Sequence, residues 1–368
     1  MNKERIISTF FDYVKIESPS YKEGNFAKVL KAEMEGIGFQ VIVDNAGEKA
    51  SSDTGNLIGY LKGNKDVEPI MFCAHMDTVT PYENIEPIIE DGIIKSAGNT
   101  ILSADDKAGI VAIIEGIKYI KENNIPHGDI EVVFTICEEV GLYGSKYLDT
   151  SKLKSKMAFI LDSSGDVGGV IIRGPAQSQI KAEFHGKAAH AGLSPEKGIS
   201  AIQVASRAID KMKLLRIDEE TTANVGTIRG GTATNIVADY VSVEFECRSL
   251  DQDKLEKQVK HMVETIENAG EDYGSKVVVN VEESYTPFSV SKDAPILKVC
   301  EDAMAKLNIP YSPKSTGGGS DTNILSGKGL SSVTLGIGLF NAHSIDEYIA
   351  VDDLIKLTEL VVSISETV

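Results

Sequence analysis

A chain of 368 residues exceeds the size at which one hydrophobic core keeps growing, so two domains are expected. Its 42% hydrophobic and 25% charged residues suit a globular protein. Set against 37 basic side chains, 55 acidic ones leave a net charge of −18, a field that repels phosphate and argues against a nucleic-acid or anionic-membrane partner. From the N-terminus, MNKERIISTFFDYVKIE reads as an amphipathic helix with charges throughout, unlike a secretory signal. A second helical pattern covers 23–37, and the strands QVIVD, NLIGYL and PIMFCAH follow. A long helical run, DKAGIVAIIEGIKYIKENN, precedes the strands DIEVVFTIC and MAFILD. Strands apolar on both faces and separated by helices indicate a mixed or parallel α/β sheet covered on both sides. The rhythm changes over 176–286, where QIKAEFHG, SAIQVASRAIDKMKLL, NVGTIRG, NIVADYVSVEFECR, DKLEKQVKHMVETIENAG and KVVVNVEE read as β-α-β-β-α-β, the ferredoxin-like plan. Over 287–368 the first style resumes, with a helix over 294–307, the strand SSVTLGIG and a helix over 352–365. The expected organisation is one domain of 1–175 and 287–368 interrupted by an α+β domain of 176–286. Four scattered cysteines without a CxxC read as reduced core thiols. The longest uncharged stretch, Gly329 to Ile345, is broken by Gly, Ser and Asn and cannot serve as a membrane helix. The expected compartment is the cytoplasm.

In open α/β sheets, ligands gather beyond the carboxyl ends of the strands. PIMFCA runs into His75-Met-Asp77, DIEVVFTIC into Glu138-Glu139, and MAFIL into Asp162; Asp105-Asp106 opens the long helix, and His343 follows SSVTLGIG. Each feature alone has a plainer explanation: a loop histidine, a solvated acidic edge, a helix cap or a turn. Jointly, His or carboxylate at five element ends, each against apolar sequence, would carry a large desolvation cost that a shared cation removes. Two His with three or more carboxylates suit zinc, cobalt or manganese better than calcium.

The runs AHMDTVTP, SADDKAG, EEVGLYGSK, LDSSG and AHSIDEY, together with HGKAAHAG, TIRGGTATNIV and GGGSDTN, occur in an order that resembles the peptidase T / aminoacylase / succinyl-diaminopimelate desuccinylase family of two-metal amidohydrolases. The resemblance implies a dizinc exopeptidase-like catalytic domain whose insert serves as lid and dimerisation domain. It implies two zinc ions per chain, with cobalt or manganese possible: His75, Asp105 and Asp162 hold one, and Asp105 bridges to a second completed by Glu139 and His343. Asp105 is chosen over Asp106 because the family's ligand precedes the Lys by two positions, and the peptide after it is cis in such relatives. Asp77 would orient the His75 imidazole, and Glu138 would be the general base that activates a metal-bridging water. In the insert, His190 matches a substrate-contacting histidine carried to the neighbouring subunit of a homodimer. Arg248 matches an arginine that grips a substrate carboxylate, and Asn235 a substrate-contacting asparagine. The implied activity is an aminotripeptidase. The run HMDTVTP departs from the peptidase T pattern after the threonine and GGGSDTN is closer to the glutamate carboxypeptidase branch, so a carboxypeptidase or N-acyl-amino-acid deacylase is the alternative. A non-catalytic, metal-bound peptide-binding protein is a more distant reading, which the presence of Glu138 opposes. An oxidoreductase has no GxGxxG after a strand to support it.

Overall fold

The computed structural model describes residues 1–368, which form two compact units. The first comprises Met1–Ile172, Ser289–Ser315 and Ser320–Val368, and the second Arg173–Phe288 with Thr316–Gly319. The second unit runs over 173–288 where the sequence suggested 176–286, and it also takes Thr316–Gly319, which the sequence suggested for the first.

The first unit is built on a nine-stranded mixed sheet. Its order is Gln40–Val43, Leu57–Leu61, Ile130–Thr135, Ile70–His75, Met157–Ser163, Ser331–Gly336, Gly169–Gly174 and Phe288–Ser289, with Ser312–Ser315 paired to Gly169–Gly174. The four strands from Ile130–Thr135 to Ser331–Gly336 run parallel, so their carboxyl ends share one edge. Every residue of Ile70–His75 and Ile130–Thr135 is buried, which explains why both read as uninterrupted apolar runs. One side of the sheet packs against the helix Ala104–Glu122, and the other buries Ile58, Met71, Cys73, Val133, Ile160 and Leu325.

The helix Ala104–Glu122 is buried over most of its length because Lys3–Val14 and Val351–Thr367 cover it. Glycine permits the closest approach. A Cβ on Gly109 would stand 2.4 Å from the Leu161 carbonyl oxygen and 2.4 Å from Asp106 Oδ1. This fit sets the start of the helix against the strand end that carries Asp162. A small sheet not anticipated from the sequence, ordered Leu339–Phe340, Tyr348–Ala350, Ile93–Ser96 and Pro87–Glu90, brackets the loop that bears His343.

In the second unit, Leu215–Arg216, Thr221–Gly230, Tyr240–Ser249, Ala176–His185 and Lys276–Tyr285 form an antiparallel sheet in that order. Apart from the short added strand Leu215–Arg216, this is the ferredoxin-like arrangement. Val241, Val243, Phe245 and Cys247 alternate inward toward Val204, Ala208, Met262 and Ile266 of the two helices, Ala201–Lys211 and Gln252–Tyr273. The strand read from Asn235 begins only at Tyr240. All four cysteines are buried and free. No helix is long and apolar enough to cross a membrane.

Replacing Gly109 with Ala forces its new methyl group against the Leu161 backbone carbonyl as well as the Asp106 carboxylate. The expected loss of stability is about 1–3 kcal/mol, the usual cost of overpacking, read as a lowered thermal midpoint; an unchanged midpoint would show that the helix is free to shift off the strand.

Candidate active site

Five element ends converge at the carboxyl edge of the parallel strands. His75 closes its strand, and its Nε2 lies 3.1 Å from Asp105 Oδ1 and 3.6 Å from Asp162 Oδ1. On the other side, His343 Nε2 lies 3.3 Å from Asp105 Oδ2 and 2.9 Å from Glu139 Oε1. The Asp105 carboxylate thus gives one oxygen to each imidazole. Three ligand groups have their donor atoms within 4.8 Å of one another: His75, Asp105 and Asp162; His75, Glu138 and Glu139; and Asp105, Glu139 and His343.

Local structure explains how these side chains are aimed. The strand before Glu138 ends at Thr135, and Cys137 turns the chain with φ of 50°. Glu138 and Glu139 therefore leave the alternation of the strand and can do different work. The Asp105–Asp106 peptide is cis, as is Thr80–Pro81. Asp106 turns away from the cluster: its Oδ2 accepts the His75 N–H at 3.2 Å, while its Oδ1 is buried without a partner.

Asp77 does more than the sequence suggested. His75 Nδ1 is nearest the Asp77 carbonyl oxygen, at 2.9 Å, with the carboxylate Oδ1 at 3.5 Å. The carboxylate itself accepts the N–H of Glu138 at 2.9 Å, the N–H of Glu139 at 3.2 Å and the Ser20 hydroxyl at 2.7 Å. Glu23 acts on the same turn, accepting the Cys137 N–H at 2.9 Å and the Ser52 hydroxyl at 2.7 Å. Glu347 accepts N–H groups from the loop that carries Asp105. Sequence reasoning passed over both glutamates. Glu347 lies inside AHSIDEY, four residues past His343, whereas nothing near Glu23 marks it.

The electrostatics follow from crowding like charges in a buried place. Burial, aided by the charges of Asp105 and Asp321 and opposed by His75, pushes the Asp162 carboxyl up to about 7. Burial and then the charge of Asp162 push Glu138 well above the carboxylate range. Hydrogen bonds to Asp105 and Glu139 raise His343 to about 10. His75 is raised by Asp105, Asp162 and Asp77 against an opposing effect of burial. The carboxylates thus favour positive charge on the two imidazoles. A metal cation would supply it with the imidazoles neutral and acting as ligands. The donor set of nitrogen and carboxylate oxygen, with Asp105 shared, fits two transition-metal ions of the zinc type.

The other three sequence candidates lie in the second unit. His190 is exposed, and its Nδ1 accepts the N–H groups of Gly192 and Leu193 at 3.1 and 3.2 Å. That places the ring proton of the neutral form on Nε2. Asn235 lies beside it, its carbonyl accepting the Ala191 N–H at 2.9 Å. Arg248 points Nη2 at Glu246 Oε2 at 2.9 Å, and its Nη1 reaches the Gly317 carbonyl at 3.4 Å. Its fork is engaged by Glu246, so a substrate carboxylate would have to displace that partner.

The chain was compared with known proteins. The model for the peptidase dimerisation domain of the M20 family matches residues 173–274, and that for peptidase family M28 matches residues 56–199. The chain is 43% identical to the Bacillus subtilis protein YqjE, over 100% of this chain and 99% of the other. The aminopeptidase PepT from Bacillus cereus is 42% identical with a TM-score of 0.91, and the two chains are covered to 100% and 99%. A tripeptidase from Staphylococcus aureus is 38% identical with a TM-score of 0.95, at 100% and 98% coverage.

Asp77→Asn tests how the adjacent glutamates are held. The amide must turn its NH2 toward a backbone N–H or a hydroxyl, leaving a buried donor unpaired at a cost of about 1–3 kcal/mol. The expected outcome is a lower thermal midpoint together with roughly tenfold weaker binding of a divalent transition metal; calorimetry showing both unchanged would assign Asp77 no such role.

Proposed function

The chain belongs to the M20 peptidase family, in its peptidase T-like branch, and from that premise we propose that this metallo-exopeptidase is an aminotripeptidase. The observation that carries the catalytic reading is the division of Asp105, one oxygen toward His75 and the other toward His343, with Glu138 beside them. Whole-chain similarity to an aminopeptidase and a tripeptidase supports the choice of substrate.

In this reading His75, Asp105 and Asp162 hold one zinc, and Asp105, Glu139 and His343 hold the other, with cobalt or manganese as substitutes. When bound, such ions polarise the scissile carbonyl and lower the pKa of a water toward neutrality. The protein's part is proton transfer and orientation. Glu138 takes a proton from the attacking water and returns it to the departing amine, which requires a carboxylate near the metals and not committed to them. Asp77 fixes its backbone, while Glu139 is turned toward His343. We read His190, with its proton on Nε2, as a donor to the oxyanion that develops on the neighbouring subunit's substrate. Asn235 orients substrate from the adjoining loop, and Arg248 takes its carboxylate by exchange with Glu246.

The match to a dimerisation domain supports a homodimer through the second unit. In that unit, Leu215–Arg216 pairs only with Thr222 and Ala223, so the outer edge of Thr221–Gly230 is unpaired beyond them. An open edge of this kind invites a second copy. Four free, buried thiols suit the cytoplasm.

Two variants and a substrate panel test the assignment. Glu138→Gln is expected to keep both metals and lose turnover on the order of a hundredfold or more. Glu139→Gln is expected to lower occupancy of one metal. A tripeptide with a free amino group is expected to be cleaved faster than its N-acetylated form. Loss of metal from Glu138→Gln would reverse the two roles, and faster release from N-acetyl amino acids would replace the peptidase with a deacylase.

A further inference from the structure

The loop that delivers Asp105 is not held by its own side chains. Ser103, with φ of 63°, makes no capping hydrogen bond through its side chain, and Asp105 and Asp106 have non-helical backbone, so the regular helix within Ala104–Glu122 begins only after them. The backbone N–H groups from Leu102 to Asp105 thus lie in a turn ahead of the regular helix and need acceptors from elsewhere. They are taken by a residue more than two hundred positions away. Glu347 Oε2 accepts the N–H of Leu102 at 2.9 Å and of Ser103 at 3.1 Å, while Oε1 accepts the N–H of Ala104 at 2.8 Å and of Asp105 at 3.1 Å. Its side chain is buried, with 1% of the residue exposed.

We propose that Glu347 is the positioning residue of the binuclear centre: by holding the turn from Leu102 to Asp105 through four N–H groups it fixes the backbone from which the Asp105 carboxylate faces both histidines, and it ties the Asp105 loop to the segment that bears His343. Both consequences follow from connectivity. One carboxylate that accepts all four N–H groups from Leu102 to Asp105 fixes the backbone of the turn that carries the Asp105 side chain. The Glu347 backbone lies four residues from His343 and enters the strand Tyr348–Ala350, which pairs with Ile93–Ser96. The single carboxylate therefore sets the distance between the bridging ligand and the histidine of the second ion. This inference rests on the two-metal reading above.

The test uses the full-length protein, zinc as the probe, and two readouts besides turnover: amide hydrogen exchange at residues 102–105, and zinc affinity by competition with a chelator. Glu347→Gln replaces an oxygen that accepts two N–H groups with an NH2 that can accept none. The expected result is at least tenfold faster exchange at two or more of these four amides. Zinc affinity should fall about 10–100-fold at both sites, because Asp105 is shared. Glu347→Asp keeps the charge and should recover part of the affinity; it also serves as the readout if the glutamine variant does not fold. Unchanged zinc affinity in Glu347→Gln would overturn the inference, even with accelerated exchange, because Glu347 would then brace the turn and nothing more. Failure of the unsubstituted chain to bind zinc would instead remove the two-metal reading, and this inference with it.

Discussion

The structure is governed by the concentration of carboxylates at one edge of a buried parallel sheet. Asp77, Asp105, Asp162, Glu138 and Glu139 gather around two imidazoles with no lysine or arginine paired to any of them. Burying ions costs several kcal/mol each unless they are paired or hydrogen-bonded. The protein answers by giving its carboxylates two kinds of work. Asp77, Glu23 and Glu347 spend their oxygens on backbone N–H groups, which fixes the turns. Asp105, Asp162 and Glu139 point at imidazole nitrogens instead and are available to a metal. Glu138 is the member whose side chain goes to neither, which is the condition a proton carrier requires.

The packing serves this division. The parallel strands bring their carboxyl ends to one edge in a fixed register, with His75 directly opposite Thr135. Gly109 lets the helix that follows Asp105 rest on the strand whose end carries Asp162. A shift of either element by one residue would scatter the ligands. The apolar core thus acts on function through geometry, and cannot loosen without separating like charges from the groups that stabilise them.

Much of this was legible in the sequence, for physical reasons. Doubly covered strands must be apolar throughout, so PIMFCAH, DIEVVFTIC and MAFILD announced themselves, and a charged residue at the end of each was conspicuous. The β-α-β-β-α-β order gave the second unit. Less visible were the short strands Pro87–Glu90, Ile93–Ser96 and Leu339–Phe340, which are too brief to show a period. The start of the strand at Tyr240 was misplaced because the apolar residues before it, Ile236 and Val237, belong to the loop beside His190. The roles of Glu23 and Glu347 could not be read at all. Each acts on backbone far away in the chain, and a carboxylate that binds peptide N–H groups leaves no pattern in the residues it binds.

The central claim is that Asp105 is the shared ligand of two ions. Crystals of the zinc-loaded protein, measured at the zinc absorption edge, test it directly. The account expects two anomalous peaks per chain about 3.5–4 Å apart, with the Asp105 carboxylate between them and Glu138 ligating neither. A single peak, or two peaks not bridged by Asp105, would contradict it.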